Sequence, residues 1–180
     1  MATMQRKGTR MPLTGQEIAR EVAADRIYIA PFDATHLSAN GYRMRLAGDL
    51  VTYTEATLDA HHPPPSIHQT LSANGFCLQP GRIYLARTME TIGSPHYAMT
   101  LEAELAVSNL GLWIEFSAPL GHVGAHIPWT LELAVVHPTI IYPGMPIGKV
   151  AFWEPIGTLV PYQGRYADST GIVTSKLAEG

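Results

Sequence analysis

Glycine and proline interrupt this chain so often that its apolar residues fall into short runs. The 180 residues include 16 glycines and 14 prolines. Neither residue suits the interior of a helix or a central strand, so their dense spacing limits the length of regular elements. Short apolar runs separated by turn residues predict a mainly β fold, a sandwich or a barrel. The predicted strands are RIYIA (26–30), YRMRLAGDLVTY (42–53), GFCLQPGRIYLARTME (75–90), LGLWIEFSA (110–118), WTLELAVV (129–136) and TIIYPGMPIGKVAFWEP (139–155).

One helix is indicated, close to the start of the chain. Thr14 and Glu17 have the spacing of a capping box, and Ile18 and Val22 then fall on one helical face. The basic stretch MATMQRKGTR is not followed by an apolar core, so it does not have the pattern of a signal peptide. We therefore expect residues 1–11 to form a flexible extension ahead of a single domain.

Composition excludes several functional classes. The formal net charge of −3 gives no basic footprint for nucleic acid, so we expect no nucleic-acid partner. A single cysteine, Cys77, leaves no internal disulfide and no cysteine-rich zinc site. The sequence contains no apolar run long enough to span a membrane. We expect a cytoplasmic protein with no membrane partner.

Three histidines lie in the segment DAHHPPPSIHQT (59–70) and raise the question of a metal site. The three consecutive prolines rule out a central strand, so the segment is predicted to be a solvated loop. The sequence has no HExxH motif and lacks the HxE and PCxxC pair of zinc-dependent nucleobase deaminases. It also lacks a P-loop, GxGxxG and GxSxG. No metal ligands are predicted. The histidines are His61, His62 and His68.

Glu132 is the most informative single residue, because it lies in the middle of the apolar run WTLELAVV. In a strand, Trp129, Leu131 and Leu133 would share one face, and Glu132 would point to the other. The carboxylate then either faces water or faces a pocket, where it would be a suitable general base. The pattern alone leaves both readings open.

From about residue 12 onward, the order of the segments resembles the dCTP deaminase family of the dUTPase-like superfamily. The resemblance depends on several motifs in sequence and not on any one of them. The matching segments are MPLTGQEIAREVAADRIYIAPFD (11–33), LSANGYRMRLAGDLVTY (37–53), GFCLQPGRIYLARTMETI (75–92), LGLWIEFSAPLGHVGAHIPWTLEL (110–133) and IIYPGMPIGKVAFWEP (140–155).

This resemblance implies a dUTPase-like β-barrel or sandwich of the β-clip type, assembled as a homotrimer with active sites between subunits. The domain would cover residues 12–162, and residues 163–180 would form a C-terminal lid over a bound pyrimidine nucleotide. The family deaminates dCTP without zinc, some members also hydrolyse dUTP, and Mg2+ accompanies the triphosphate. Glu132 matches the catalytic general acid/base. The positions that match substrate-binding residues are Glu104, Asn109, Glu115, Ala118, His122, Gly124, Trp129, Tyr162, Arg165 and Tyr166.

The chain departs from the family mainly at the phosphate-binding motif, GRSSxxR, which here reads AELAVSN (103–109). Glu104 and Asn109 stand at the arginine positions, and Leu105 and Ala106 stand at the serine positions. A carboxylate near a phosphate weakens binding, and an apolar side chain cannot donate a hydrogen bond. Arg43 stands where the family has an aspartate. Further departures are Glu115 for histidine, His122 for aspartate, and Ala167 and Asp168 in the lid motif.

Three functions therefore remain open. The first is a deaminase on this scaffold with altered phosphate recognition, acting on a pyrimidine nucleotide or nucleoside through Glu132. The second is an ordinary dCTP deaminase or dUTPase whose triphosphate grip has been rebuilt from Arg43, Arg45 and Arg165. The third is a relative without catalysis that binds a nucleotide or a protein.

Overall fold

The computed structural model describes residues 11–179 of the chain. The extension expected at residues 1–11 lies outside the described residues except for Met11, which is exposed. The elements are α1 (Gly15–Ala23), β1 (Tyr28–Ala30), β2 (Leu37–Ser38), β3 (Gly41–Arg45), β4 (Asp49–Tyr53), β5 (Ser66–Thr70), β6 (Phe76–Leu78), β7 (Tyr84–Gly93), β8 (Ala98–Ala103), α2 (Leu105–Ser108), β9 (Leu112–Trp113), β10 (Leu120–Gly121), β11 (His126–Val135), β12 (Thr139–Ile141) and β13 (Pro146–Trp153), with 3-10 turns at Ala34–His36 and Leu177–Glu179.

The strands form antiparallel sheets, and the mainly β prediction is confirmed. A six-stranded sheet has the order β5-β4-β7-β11-β9, with β1 added on β7, and a five-stranded sheet has the order β10-β8-β13-β3-β2. A small third sheet pairs β12 with β6. Most buried apolar side chains of the two larger sheets belong to one core cluster. Within residues 11–179, no helix is both long and apolar enough to cross a bilayer.

Helix α1 begins where the sequence predicts. The hydroxyl of Thr14 accepts a hydrogen bond from the backbone N–H of Glu17 at 3.3 Å, as an N-cap does. The Glu17 carboxylate does not close the capping box but accepts a bond from Arg20 at 2.9 Å. Ile18 is fully buried, and it anchors the helix to the core.

The long strands β7 and β11 form the centre of the larger sheet. Trp129, Leu131 and Leu133 of β11 are buried in the core, in the alternation that the sequence predicts. The indole N–H of Trp129 donates to the Ile92 carbonyl at 3.4 Å, so even its polar edge is satisfied internally. Burial of this row fixes the register of β11 and forces Glu132 to the opposite face.

Two local predictions are wrong in extent. Residues 59–70 are not all loop, because Ser66–Thr70 form edge strand β5, in which His68 is paired with Val51 of β4. The three prolines end immediately before β5, and an edge strand needs partners on one side only. The strand predicted at 110–118 is limited to Leu112–Trp113, because the chain then turns to contact Glu132.

Candidate active site

Glu132 lies on a sheet face that is covered, although it is the face opposite the core. Glu132 is the cross-strand partner of Leu85 on β7, and Leu85 is the partner of Val51 on β4. Directly opposed residues point to the same face of a sheet, so these three side chains are neighbours. Leu85 and Val51 are both buried, whereas Glu132 is partly exposed. The carboxylate therefore does not belong to an open solvent face.

The segment after β9 holds the carboxylate of Glu132 in place. The backbone N–H of Glu132 donates to the carbonyl of Ile114 at 2.9 Å. One residue beyond Glu115, the backbone N–H of Phe116 donates to Oε2 of Glu132 at 3.1 Å. A backbone N–H donor stabilises the ionised form of a carboxyl group. The Glu132 carboxylate is therefore held in place where β11 meets the connection between β9 and β10.

The C-terminal segment crosses this face of the sheet. The backbone N–H of Val173 donates to the hydroxyl of Thr130 at 3.1 Å, two residues before Glu132 on the same face of β11. The backbone N–H of Ser175 donates to the hydroxyl of Tyr53, the last residue of β4, at 3.4 Å. These bonds lay residues 173–175 across β11 and β4, on the side that carries Glu132.

Contacts around Tyr166 fold the C-terminal segment back, so that residues 165 and 166 contact Lys176. The hydroxyl of Tyr166 accepts a bond from the backbone N–H of Lys176 at 3.2 Å, and the Lys176 ammonium lies 5.6 Å from the centre of the Tyr166 ring. Arg165 donates to the Lys176 carbonyl at 2.6 Å. The two residues of the expected lid motif that keep the family's chemical type therefore fold the segment back.

Tyr53 joins the segment to the candidate base electrostatically. Burial raises the pKa of Tyr53, the Ser175 N–H opposes this change, and the charges of Glu132 and Tyr166 raise the pKa further. The hydroxyls of Tyr53 and Tyr166 also accept bonds from the neighbouring backbone N–H groups of Ser175 and Lys176, so both rings contact the same part of the C-terminal segment. The candidate site is therefore built from β4, β11 and the C-terminal segment of one chain.

Glu115 is the second carboxyl group beside Glu132. Burial raises its pKa, the charges of Glu102 and Glu132 act in the same direction, and a hydrogen bond from the Ala118 backbone N–H opposes them. Its Oε2 atom is buried and has no hydrogen-bond partner within residues 11–179. Two of the predicted site residues, Glu115 and Glu132, are thus brought together by the fold.

A second cluster of predicted site residues contains His122, Gly124 and Tyr162. The His122 and Tyr162 rings are stacked, with centroids 4.8 Å apart and planes inclined by 14°. Gly124 has a φ of +87°, and a Cβ there would lie 2.9 Å from Pro161, so only glycine allows the chain to pass so closely. The backbone N–H of Tyr162 donates to the Val123 carbonyl at 2.8 Å. A cleft of about 420 Å³ opens beside this stack.

The substituted phosphate motif forms an ion cluster of its own. Glu104, the N-cap of α2, accepts a bond from Nε of Arg43 at 3.2 Å on one oxygen, and Nζ of Lys149 lies 3.8 Å from the other. Arg43 and Lys149 are Cα partners on β3 and β13, which places both cations beside the acid. The departures at residues 43 and 104 therefore form one ion pair. In this chain the arginine is at residue 43 and the acid at residue 104, whereas the family motifs have an aspartate and an arginine at these two positions.

The arginines that would rebuild a triphosphate grip are engaged elsewhere. Arg43 pairs with Glu104, as above. Nε of Arg45 donates at 2.7 Å to Glu90, which is fully buried, and the Arg45 backbone N–H binds the same carboxylate. A buried carboxylate that lost this partner would be strongly destabilising, so Arg45 is a structural residue. Arg165 contacts the Lys176 carbonyl.

The remaining predicted residues lie at the margins or in the core. Asn109 is the exposed C-cap of α2, and Ala118 is exposed in the β9–β10 connection. Trp129 is 8% exposed, and its ring packs against Gly121, where an added Cβ would lie 2.1 Å from it. Within this chain, Trp129 supports the site from behind and does not line the face that carries Glu132.

Sequence reasoning missed Tyr53, Thr130 and Lys149. Thr130 had a usable signal, because it lies two residues from Glu132 and shares its face by strand alternation. Tyr53 and Lys149 had no usable sequence signal. Their positions depend on the pairing of β4 with β7 and of β13 with β3.

The fold is that of a mainly antiparallel β protein with two larger sheets around one core. The family model described as dCTP deaminase-like matches residues 12–155. The chain is 35% identical over 168 residues to the dCTP deaminase, dUMP-forming, of Leptospira biflexa, covering 93% of this chain and 96% of that protein. It is 37% identical over 147 residues to the dCTP deaminase of Rhodopirellula baltica, covering 82% and 74%. The chain therefore belongs to the dCTP deaminase family.

A solved structure supports the fold. The 2'-deoxycytidine 5'-triphosphate deaminase of Agrobacterium tumefaciens superimposes with a TM-score of 0.65 at 17% sequence identity. The match covers 82% of this chain and 49% of that one, so this chain spans about half the length of that protein. Together with the family model, this confirms the predicted family and the mainly β fold.

Proposed function

We propose that this protein is a pyrimidine nucleotide deaminase of the dCTP deaminase type, with Glu132 as the general acid/base. The observation that supports this most strongly is the position of Glu132, fixed by the Phe116 N–H on a sheet face that the C-terminal segment crosses. A carboxylate that served only solubility would need neither the backbone donor nor the cover. The proposal also draws on the relatives, which are named dCTP deaminases.

The reaction requires Glu132 to relay two protons. The carboxylate takes the first proton from water as the water oxygen bonds to the ring carbon that carries the amino group, and it passes this proton to the adjacent ring nitrogen. It then takes the proton of the added hydroxyl and gives it to the amino group, whose bond to carbon breaks to release ammonia as the hydroxyl oxygen becomes a carbonyl. One group can perform both relays because it returns each proton that it accepts. The covered sheet face would keep other water away from the reacting carbon.

We further propose that phosphate recognition differs from that of the family. Glu104 holds Arg43 and Lys149, so these two cations are already neutralised where the motif would meet phosphate. Leu105, at a serine position, is 71% exposed and can offer phosphate only its backbone groups. Each missing charge-assisted contact lowers affinity by roughly 1.5 to 3 kcal/mol. A substrate with fewer phosphates, or a nucleoside, would fit this surface better than a triphosphate.

The proposal includes assembly as a homotrimer. A homotrimer would bury Ile140 and Tyr142, which lie at the end of β12 and are 53% and 45% exposed in a single chain. Residues 163–180 would act as the lid over the bound nucleotide.

The proposal includes no metal site built by the protein itself. No group of three His, Cys, Asp or Glu side chains within residues 11–179 is placed to hold a metal ion, so any Mg2+ would enter with the phosphates of a substrate. Such a substrate would be met in the cytoplasm.

A second candidate is an unaltered dCTP deaminase that forms dUMP. The names of several relatives favour it, including the one from Leptospira biflexa and a 34% identical one from Cytophaga hutchinsonii. In this case Arg43 and Lys149 would have to leave Glu104 and turn to the triphosphate. The two candidates share Glu132 and differ in the number of phosphates that the substrate carries.

A substrate panel separates the candidates. Cytosine and uracil nucleosides with zero, one, two and three phosphates are incubated with the full chain, and ammonia, pyrophosphate and thermal stabilisation are measured. Ammonia from a nucleoside or monophosphate supports altered recognition, whereas efficient release of ammonia from dCTP supports the second candidate. Stabilisation without product, unchanged in Glu132→Gln, would overturn catalysis and leave a binding protein.

A further inference from the structure

Glu115 is a carboxyl group whose surroundings suit a neutral acid better than a charge. It accepts one hydrogen bond, from the Ala118 backbone N–H, and its buried Oε2 has no partner within residues 11–179. The charged groups that act on it are Glu102 from β8 and Glu132 from β11, both carboxylates. A half-buried anion near two other anions is unfavourable, and a proton relieves both the burial and the repulsion.

Within residues 11–179, no cation is among the charged groups that act on Glu115. Lys149 is the Cα partner of Glu102 across β13 and β8. Its ammonium, however, lies 3.8 Å from Glu104, whose other oxygen is bound by Arg43.

The backbone fixes Glu115 relative to Glu132. Ile114 and Phe116, on either side of Glu115, both bond to Glu132: the first accepts from its backbone N–H and the second donates to its Oε2. A residue held between two such contacts cannot move away from Glu132 without breaking one of them. The two carboxyl groups are thus built into one unit and are not accidental neighbours.

We propose that Glu115 is the proton-holding partner of Glu132: as a neutral carboxylic acid, it supplies a hydrogen-bond donor beside the candidate base. This role rests on the proposed function, in which Glu132 accepts a proton from water. In this role Glu115 meets the substrate directly, beside Glu132. Two adjacent carboxyl groups with opposite protonation are a recurrent solution for acid/base chemistry near neutral pH.

The pair offers a ligand one donor and one acceptor. The Glu115 hydroxyl donates, and the Glu132 carboxylate accepts. The amidine edge of cytosine presents the complementary set, a ring nitrogen that accepts and an amino group that donates. The deaminated ring reverses this set, because its ring nitrogen carries hydrogen and its carbonyl accepts. A neutral Glu115 would therefore favour the amino form of a pyrimidine over the product.

The first test measures the proton on Glu115 without any turnover. The full chain is labelled with 13C at the glutamate carboxyl carbons, and the resonance that disappears in Glu115→Gln is followed against pH. We expect its midpoint above the ordinary glutamate value of 4.5. The midpoint should fall in Glu132→Gln and in Glu102→Gln, because each removes a negative charge, and it should stay in Glu104→Gln. Glu115→Asp keeps a carboxyl group but removes the labelled resonance, so it confirms the assignment if the glutamine variant does not fold.

A midpoint at or below 4.5, or one that Glu132→Gln does not move, overturns the proposal. The second test uses a substrate found with the panel above. Glu115→Gln keeps an N–H donor at every pH, so the alkaline fall of the pH–rate profile should disappear, whereas Glu115→Ala should be slow throughout. If no substrate is turned over, the proposed function fails, and the carboxyl titration still decides the protonation of Glu115.

Discussion

Glu132 and Glu104 are two acids in neighbouring parts of the same fold, and their surroundings differ in kind. Glu132 receives a backbone N–H, has a second carboxyl group beside it, and lies under the C-terminal segment. Glu104 lies between the cations Arg43 and Lys149. Both residues are partly buried, so burial alone does not distinguish them.

The difference concerns what each acid can still do. A carboxylate that is held by one N–H donor keeps lone pairs for a proton or a ligand. A carboxylate with a cation on each oxygen has its charge neutralised in place and mainly joins the elements that carry it, here β3, β13 and α2. The first arrangement suits chemistry, and the second suits structure. Resemblance alone had placed both residues in one substrate site.

The largest effect is expected from Glu132→Gln. The amide keeps the shape and can still accept the Phe116 N–H, but it cannot take a proton from water. Turnover of the substrate found in the panel should fall by about a hundredfold or more. The melting temperature serves as the control and should change little. Full activity in this variant would make the two acids equivalent and remove the assignment.

A smaller gain is expected from Glu104→Gln. Neutralising this acid releases Arg43 and Lys149, and a restored charge-assisted contact is worth roughly 1.5 to 3 kcal/mol, so affinity for dCTP should rise by about tenfold or more. Isothermal titration measures the change, and Glu154→Gln provides a matched loss of one negative charge on an exposed residue. Equal affinities in both variants would mean that Glu104 does not mask the cations.

Neutralising the acid should change the melting temperature at pH 7 in opposite directions in the two regions. The pKa of folded Glu115 is raised above 4.5, so as pH rises past that value the unfolded chain loses its proton first and the folded state loses stability. Glu115→Gln removes this loss, and its melting temperature should exceed that of the parent at pH 7 and equal it near pH 4.

Glu104→Gln removes ion pairs instead, so it should lower the melting temperature at pH 7, by up to about 4 °C for a partly exposed cluster. Thermal scans of the parent and both variants at several pH values make the comparison. Destabilisation by Glu115→Gln at pH 7 would show that its carboxyl group is a paired anion like Glu104.

The smallest effect is expected from Tyr53→Phe. The ring remains, but the acceptor for the Ser175 N–H is lost, at a cost of about 0.5 to 1 kcal/mol. Hydrogen exchange of the Ser175 amide should accelerate by about threefold, with the amides of β7 as an internal reference. An unchanged rate would mean that the segment is held over the Glu132 face by other contacts.

The sequence by itself determined the class of fold and the candidate base. Dense glycine and proline fixed short strands, Thr14 fixed the start of α1, and alternation about Leu131 fixed the face of Glu132. These are local properties, because they depend on backbone geometry and on a period of two residues. The motif order then indicated the family, which the comparisons confirmed.

Only the tertiary structure decided which charges meet. The sequence presented Arg43 and Glu104 as two separate losses, but the pairing of β3 with β13 and the position of α2 make them one ion pair with Lys149. Likewise, Tyr53 reaches Glu132 only because β4 and β11 both pair with β7. Charge interactions act over a few ångströms between residues that can be far apart in the chain. The sequence therefore gives the sign of each charge, but not which other charge it contacts.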